Sequence, residues 1–162
     1  MDKEDKFIQI IKMHEGLIFK ITTIYTDNKA DQEDLYQDIV YQLWKSFDTF
    51  RNEAKISTWM YRVALNTALT KIKRNKRKGY SVSIEQVVLK QTENYDRAYE
   101  QRLKLLYRHI DRLNVLEKGV MLLLLEGKKY GEIAEITGLS SSNVGTRISR
   151  IKQKLKSNIL KK

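Results

Sequence analysis

The polar residues with the most informative spacing lie between Gly127 and Leu155, GKKYGEIAEITGLSSSNVGTRISRIKQKL, and the chemistry they suit is hydrogen bonding and ion pairing to a nucleic acid. Val144, Ile148, Ile151 and Leu155 recur at the helical period and form one apolar face. At about 3.6 residues per turn the opposite face carries Ser142, Thr146, Ser149, Arg150 and Gln153, flanked by Asn143, Arg147, Lys152, Lys154 and Lys156. Short polar groups near the start of such a helix can reach base edges, and cations further along hold phosphates. Upstream, a helix from about Lys129 to Ile136 would bury Tyr130, Ile133, Ala134 and Ile136, with Gly138 supplying a left-handed turn and Ser140 capping the next helix. Two short helices around a glycine turn, the second one cationic, read as a helix-turn-helix suited to the major groove of duplex DNA.

A second constellation lies on a predicted helix from a cap at Ser57 to about Lys76. Tyr61, Ala64, Leu65, Ala68, Leu69 and Ile72 make its apolar side, while Trp59, Arg62, Asn66, Thr70, Lys73 and Arg77 fall along the other. That polar stripe runs into the basic cluster Lys71, Lys73, Arg74, Lys76, Arg77 and Lys78. A ring that stacks, an amide that bonds a base edge and cations that track phosphates form a platform for an unpaired strand. The alternative is that Trp59 closes the core and the charges are simply solvated.

Charge agrees with a polyanionic partner. The 162 residues carry 31 Lys and Arg against 20 Asp and Glu, a net +11. Its distribution is uneven: residues 1–70 hold nine basic and eleven acidic side chains, residues 71–80 six and none, and residues 127–162 nine and two. Two basic foci imply two contact zones. The chain has no cysteine, which excludes disulfides and thiolate metal sites and suits a reducing compartment. Its only histidines, His14 and His109, are too few for a metal cluster and read as helix-surface residues. No phosphate-cradling glycine loop or nucleophile with a paired base is present, so neither an enzyme nor a cofactor is expected. The longest apolar run, Val120 to Leu125, is too short to cross a bilayer, and MDKEDK is not a signal peptide, so a cytoplasmic protein without membrane insertion is expected.

The elements that must position these residues are helices throughout. Zero proline and abundant Lys, Leu, Ile and Glu predict an all-α fold. A first helix from about Lys3 to Tyr25 is interrupted at Gly16; Asp31 then caps a second to about Phe47, with Leu35, Ile39, Val40, Leu43, Trp44 and Phe47 as its core stripe. The other face of this second helix carries Asp34, Gln37, Asp38, Tyr41 and Gln42 and has no basic residue before Lys45. Residues 79–93 lose the helical period and read as a linker, though Val82, Ile84, Val87, Val88 and Leu89 are apolar enough to dock. A stripe of Leu103, Leu106, Tyr107, Ile110 and Leu113 and a very apolar helix from Val115 to Glu126 lead to Gly127 and the helix-turn-helix. The expectation is two small helical domains, 1–78 and 94–162, each with a modest core and free to move relative to the other.

Taken together, DQEDLYQDIVYQLWKSFDTF at 31–50, FRNEAKISTWMYRVALNTALTKIKRNKR at 50–77, LNVLEKGVMLLLLEG at 113–127 and EGKKYGEIAEITGLSSSNVGTRISRIKQKL at 126–155 resemble the small, two-domain bacterial RNA polymerase sigma factors of the extracytoplasmic-function class, in the sigma-seventy family. The STWMYRVALNTA string is the more specific part; the helix-turn-helix alone is shared with many regulators. The resemblance implies that the first domain, with the character of sigma region two, grips the polymerase clamp and opens the minus-ten element, and that the second, with that of region four, reads the minus-thirty-five element.

Residue by residue, the resemblance implies polymerase contact by Asp34, Leu35, Gln37 and Asp38. Phe50, Arg51, Asn52 and Lys55 match the loop that accepts a flipped minus-ten base, with Asn66 supporting that pocket and Trp59 and Arg62 near the melted strand. Thr70, Lys73 and Arg77 continue along the same stripe. Ser142, Asn143, Thr146, Arg147, Ser149, Arg150 and Lys152 form the minus-thirty-five surface, and Gly145 stands where relatives commonly have a longer, base-facing side chain. A proline common after the leucine matching Leu113 is replaced by Asn114 and Val115. The implied partners are core RNA polymerase, promoter DNA and an anti-sigma factor, with no metal. The rival reading is a stand-alone helix-turn-helix regulator that binds duplex DNA without being a polymerase subunit.

Overall fold

A computed structural model describes residues 2–51, 54–77 and 97–160; the expected linker 79–93 and Asn52 lie outside the described residues. Among the described residues all regular structure is helical, as the composition predicts. Helix α1 (Lys3–Met13) starts where the Asp2 carboxylate accepts the Asp5 amide, and it stops at His14, whose φ and ψ of −121° and 18° leave the helical region. α2 (Glu15–Tyr25) follows at once. The break thus falls at His14, whose ring nitrogen donates to the Ile10 carbonyl at 3.0 Å, and not at Gly16, which is an ordinary exposed helix position.

α3 (Lys29–Ser46) is capped by Asn28, whose side chain accepts the Asp31 amide at 2.8 Å. Asp31, the expected cap, instead sits in the first turn, where a negative charge complements the positive helix end. A 3-10 turn, Phe47–Thr49, bends the chain toward α4 (Ile56–Arg77). Ser57, also expected as a cap, lies inside α4, since the Trp59 amide already donates to the Lys55 carbonyl.

α2, α3 and α4 pack around Ile18, Ile21, Leu35, Ile39, Leu43 and Met60, all fully buried. Each such side chain stabilises the fold by roughly 1.5–3 kcal/mol through removal from water. α1 adds Phe7, edge-on to Trp44 and Phe47 at centroid distances of 5.0 and 5.4 Å. A buried polar knot ties α2 to α3: the Gln32 amide donates to the Thr22 and Thr23 hydroxyls at 3.2 and 3.0 Å, and both hydroxyls donate to the Phe19 carbonyl. The Gln32 amide nitrogen and both hydroxyls find their partners inside the protein, which offsets the cost of burying them.

The second group comprises α5 (Arg97–Asp111), α6 (Val115–Leu125), α7 (Tyr130–Thr137) and α8 (Ser141–Leu160). Asn114 replaces the expected proline with a full capping box, its side chain accepting the Glu117 amide while Glu117 accepts the Asn114 amide. At the other end of α6, Gly127 at φ 80° lets Lys128 donate to the Leu123 carbonyl and Gly127 to the Leu124 carbonyl, the paired bonds of a Schellman stop. His109 differs from expectation: it is buried at 4% exposure, not on the helix surface.

The two groups are not apart. Gly119 on α6 lies so close to the first group that a Cβ there would stand 2.9 Å from Leu65 Cδ1 and from Tyr25 Oη. The Tyr25 hydroxyl donates to the Val115 carbonyl at 2.7 Å, and Lys20 pairs with Glu126 at 2.8 Å. Burial drives the Tyr25 phenol far above its ordinary pKa. Tyr61 is raised as well, first by burial and then by the Glu126 carboxylate to which it hydrogen-bonds. The two groups share one contiguous apolar core in this structure.

Candidate nucleic-acid and polymerase interfaces

The helix-turn-helix is built as its sequence dictates. α7 ends at Gly138 with φ 80°, and the Ser140 hydroxyl accepts the Asn143 amide at 3.1 Å to start α8. Val144, Ile148, Ile151 and Leu155 are buried, so the opposite face is turned outward. Ser142, Asn143, Thr146, Ser149, Arg150 and Lys152 are exposed and Arg147 is half-buried. On this ridge Arg147 Nε donates to Asn143 Oδ1 at 2.9 Å, and the Thr146 hydroxyl donates to the Ser142 carbonyl at 3.1 Å.

Three details depart from the sequence reading. Tyr130 is 43% exposed and not core; its ring lies 3.6 Å from where a Gly145 Cβ would be. Gly145 therefore faces the first helix of the motif and leaves room for that ring. Lys154 is withdrawn from the basic flank, donating to both carboxylate oxygens of Glu117 at 3.0 and 3.1 Å.

The α4 stripe is exposed where it was expected: Arg62, Asn66, Thr70 and Lys73 all face outward, while the side chain of Arg77 is not among those described. At its N-terminal end the chain forms an open cleft of about 360 Å³ whose floor combines Phe50, Trp59, Arg51, Arg62 and Asn66. Trp59 is half-buried between the core and the cleft. Its ring approaches Phe47 at 6.3 Å on the core side and Phe50 at 5.0 Å across the cleft, tilted by 30°. Sequence reasoning missed Ser46, Thr49 and Thr58 as cleft residues. The 3-10 turn that brings the first two there has no periodic signature, and Thr58 is a 2% exposed polar residue on a helix. Lys55 is exposed beside the cleft, its ammonium 4.0 Å from Glu132 of α7.

On α3, Asp34 and Gln37 are exposed and Asp38 is half-exposed, but Leu35 is buried at 2%. Leu35 is thus a core residue that fixes the helix beneath the acidic face, and it cannot itself meet a partner. Lys71 of α4, read from sequence as part of the basic cluster, bonds both acids instead, reaching Asp38 at 2.8 Å and Asp34. Burial opposes its charge, yet the hydrogen bonds to Asp34 and Asp38 prevail and hold its pKa above the ordinary lysine value. Both carboxylates keep open sides, at 64% and 49% exposure.

The geometry thus presents a cleft with stacking rings and cations, an acidic helix face and a cationic helix-turn-helix ridge. Residues 10–78 match the family model of sigma-70 region 2, and residues 103–155 match that of sigma-70 region 4. The chain belongs to the sigma-70 family of RNA polymerase sigma factors, in its extracytoplasmic-function class. It is 25% identical to the ECF RNA polymerase sigma-E factor of Haemophilus influenzae, over 94% of this chain and 87% of that one. The RNA polymerase sigma factor SigV of Bacillus subtilis is 26% identical over 88% and 84%.

Two solved structures share the fold. CnrH in complex with the cytosolic domain of CnrY superposes with a TM-score of 0.69 at 20% identity, covering 97% of this chain and 89% of that one. The sigma factor RpoE of Bartonella quintana, in complex with the anti-sigma factor NepR, gives 0.74 at 15%, covering 96% and 98%. This sigma factor therefore acts in transcription initiation, and the order of region 2 before region 4 sets aside the stand-alone regulator. No described helix is long and apolar enough to cross a membrane.

Proposed function

We propose that this sigma factor joins core RNA polymerase through the acidic face of α3, reads duplex promoter DNA with α8, and holds the opened minus-ten strand along α4. On this reading residues 1–78 form the polymerase-binding and strand-opening domain, 79–93 the linker, and 94–162 the minus-thirty-five domain. The observation that carries the proposal is the cleft between Phe50 and Trp59, with Asn66 and Arg62 at its edge. Opening is favoured only if the protein binds the single strand better than the duplex. A concave site with aromatic walls and an amide has that preference, because a base inside the duplex cannot enter it.

Asp34, Gln37 and Asp38 are assigned to the polymerase, since carboxylates repel phosphate and suit a basic protein surface. Ser142, Thr146 and Ser149 are assigned to base edges, with Asn143 and Arg147 buttressing one another and Arg150 and Lys152 directed at phosphates. The mechanism is binding without covalent catalysis, in the cytoplasm, and an anti-sigma factor is the expected inhibitor, as for the Bartonella quintana sigma factor solved with NepR. The test is transcription in vitro with core polymerase and a genomic promoter pool. Discrete start sites that depend on this chain are expected, and an absence of chain-dependent transcripts would reject the reading.

A further inference from the structure

Three charged residues that the sequence assigns to different tasks share one contact. Lys71 Nζ donates to Asp38 Oδ2 at 2.8 Å and to Asp34 Oδ2. The two acids lie one turn apart on α3 and are assigned to the polymerase, whereas Lys71 belongs by sequence to the basic run at the end of α4. At about 100° per residue, Lys71 stands roughly 140° around α4 from the line through Asn66 and Lys73, beside the buried Ala64 and Ala68. It therefore faces α3 and not a strand lying along the polar stripe. Its side chain is also less exposed than either acid, so the ammonium sits beneath the carboxylates.

We propose that Lys71 is a built-in counter-ion of the polymerase-facing acids: a cation of the partner must share Asp34 and Asp38 with it or displace it, so Lys71 sets the strength and the salt sensitivity of assembly with core polymerase. The inference rests on the reading of α3 as the polymerase face. Each acid accepts from Lys71 through Oδ2, which leaves Oδ1 to accept from a partner. With Lys71 in place the trio carries one net negative charge instead of two. A stray cation gains little there, and a basic surface whose cations reach both acids gains more. That is selection by a repulsive element as well as an attractive one.

The opposite role, in which Lys71 helps the partner by holding the acids in position, is the weaker effect. An aspartate side chain is short and has little freedom to lose, while a fixed positive charge acts on every cation that comes within a few ångströms. Lys71 also has somewhere to go. A cavity of about 40 Å³ adjoins its side chain, lined by Asp31 and Asn75 among others, with room for a group the size of an ammonium or a water. Burial disfavours its charge, but the bonds to Asp34 and Asp38 outweigh it, so the counter-ion stays ionised.

The test measures binding of the N-terminally labelled full chain to core RNA polymerase across a salt series, beside its binding to a mixed-sequence single-stranded oligonucleotide. Lys71→Met keeps most of the stem and removes the charge. It should bind core polymerase about threefold to fivefold tighter at low salt, the scale of one partly exposed charge pair, with unchanged affinity for the oligonucleotide. The advantage should shrink as salt rises, because screening weakens a Coulombic effect and leaves a packing effect untouched. Lys71→Arg, which keeps the charge, should stay near the wild type, and Lys71→Gln serves in place of Lys71→Met if that chain does not fold. Equal or weaker polymerase binding by the neutral variants, while Asp34→Asn still weakens assembly, would overturn the counter-ion and leave the polymerase face standing. Wild-type assembly by the Asp34→Asn, Asp38→Asn double variant would remove the polymerase face, and the role of Lys71 with it. Weaker oligonucleotide binding by Lys71→Met would return Lys71 to the DNA surface and equally overturn the proposal.

Discussion

The two surfaces proposed to meet DNA are built from the same materials and differ in what their neighbours do to them. On α8 the apolar residues are all on one side, the ridge is convex, and among the cations assigned to DNA Arg150 and Lys152 stand exposed. On α4 the corresponding face is concave at its start, lined by Phe50 and Trp59, and Arg62 is already bonded to another part of the chain. A convex ridge fits a groove whose shape is fixed in advance, whereas a cleft fits a base only after the duplex has opened. The difference teaches that charge alone does not assign a helix to paired or unpaired DNA; local curvature and the availability of the cations do.

The comparison can be tested from its foundations outward. Ile148 is 1% exposed beneath the ridge. Ile148→Ala should cost about 2–5 kcal/mol in urea unfolding. It should abolish duplex binding before it affects the α4 cleft, read by comparing duplex and single-strand affinities of the variant. A variant of wild-type stability would mean that the ridge is not seated as described.

Asn66→Ala should leave co-purification with core polymerase intact and weaken open-complex formation by about 1–3 kcal/mol, the scale for leaving a buried polar partner unpaired. Permanganate reactivity of promoter thymines at the wild-type level would contradict this. Asp34→Arg should act on the opposite face, reducing co-purification with core enzyme while single-strand affinity stays the same. It also places a second cation beside Lys71, so a variant that assembles normally would remove α3 from the polymerase contact.

Asn114→Ala removes the cap of α6 and should cost about 0.5–2 kcal/mol of stability without altering the order of affinities for duplex and strand. Thermal unfolding checks it. The smallest effect is expected for Arg150→Ala, which should lower the salt slope of duplex binding by about one and leave that of single-strand binding unchanged. Parallel salt slopes in both assays would merge the two surfaces into one.

Alkaline titration probes the seam between the two groups of helices. Tyr25 and Tyr61 have raised folded pKa values, so the unfolded chain releases their protons first, above about pH 10. Their contribution is whole below that point and declines as pH rises beyond it. Tyrosinate absorbance of Tyr25→Phe and Tyr61→Phe chains should show these two phenols titrating only with the loss of helicity.

Much of this was legible from the sequence because it is periodic or chemically local. The spacing of Val144, Ile148, Ile151 and Leu155 fixed which side of α8 faces inward, and Gly138 with Ser140 fixed the turn, since both act within a few residues of themselves. The outward stripe from Arg62 to Lys73 follows from the same arithmetic. Helix starts were less legible: Asn28 and Asp31 both offer capping side chains within three residues of each other, and only the path of the incoming chain selects one.

What only the tertiary structure decided is where distant segments meet. Lys71 reads as one more cation in a basic run until α3 brings Asp34 and Asp38 under it, and Lys154 reads as a phosphate ligand until α6 brings Glu117. His109 reads as a surface residue until α5 is packed. Gly119 carries no signal along a helix, yet it sets how closely α6 meets Leu65 and Tyr25. Side-chain period determines which face of a helix is buried, because that depends on neighbours three and four residues away. Which charge is satisfied, and by whom, depends on partners tens of residues away, and no local rule contains that information.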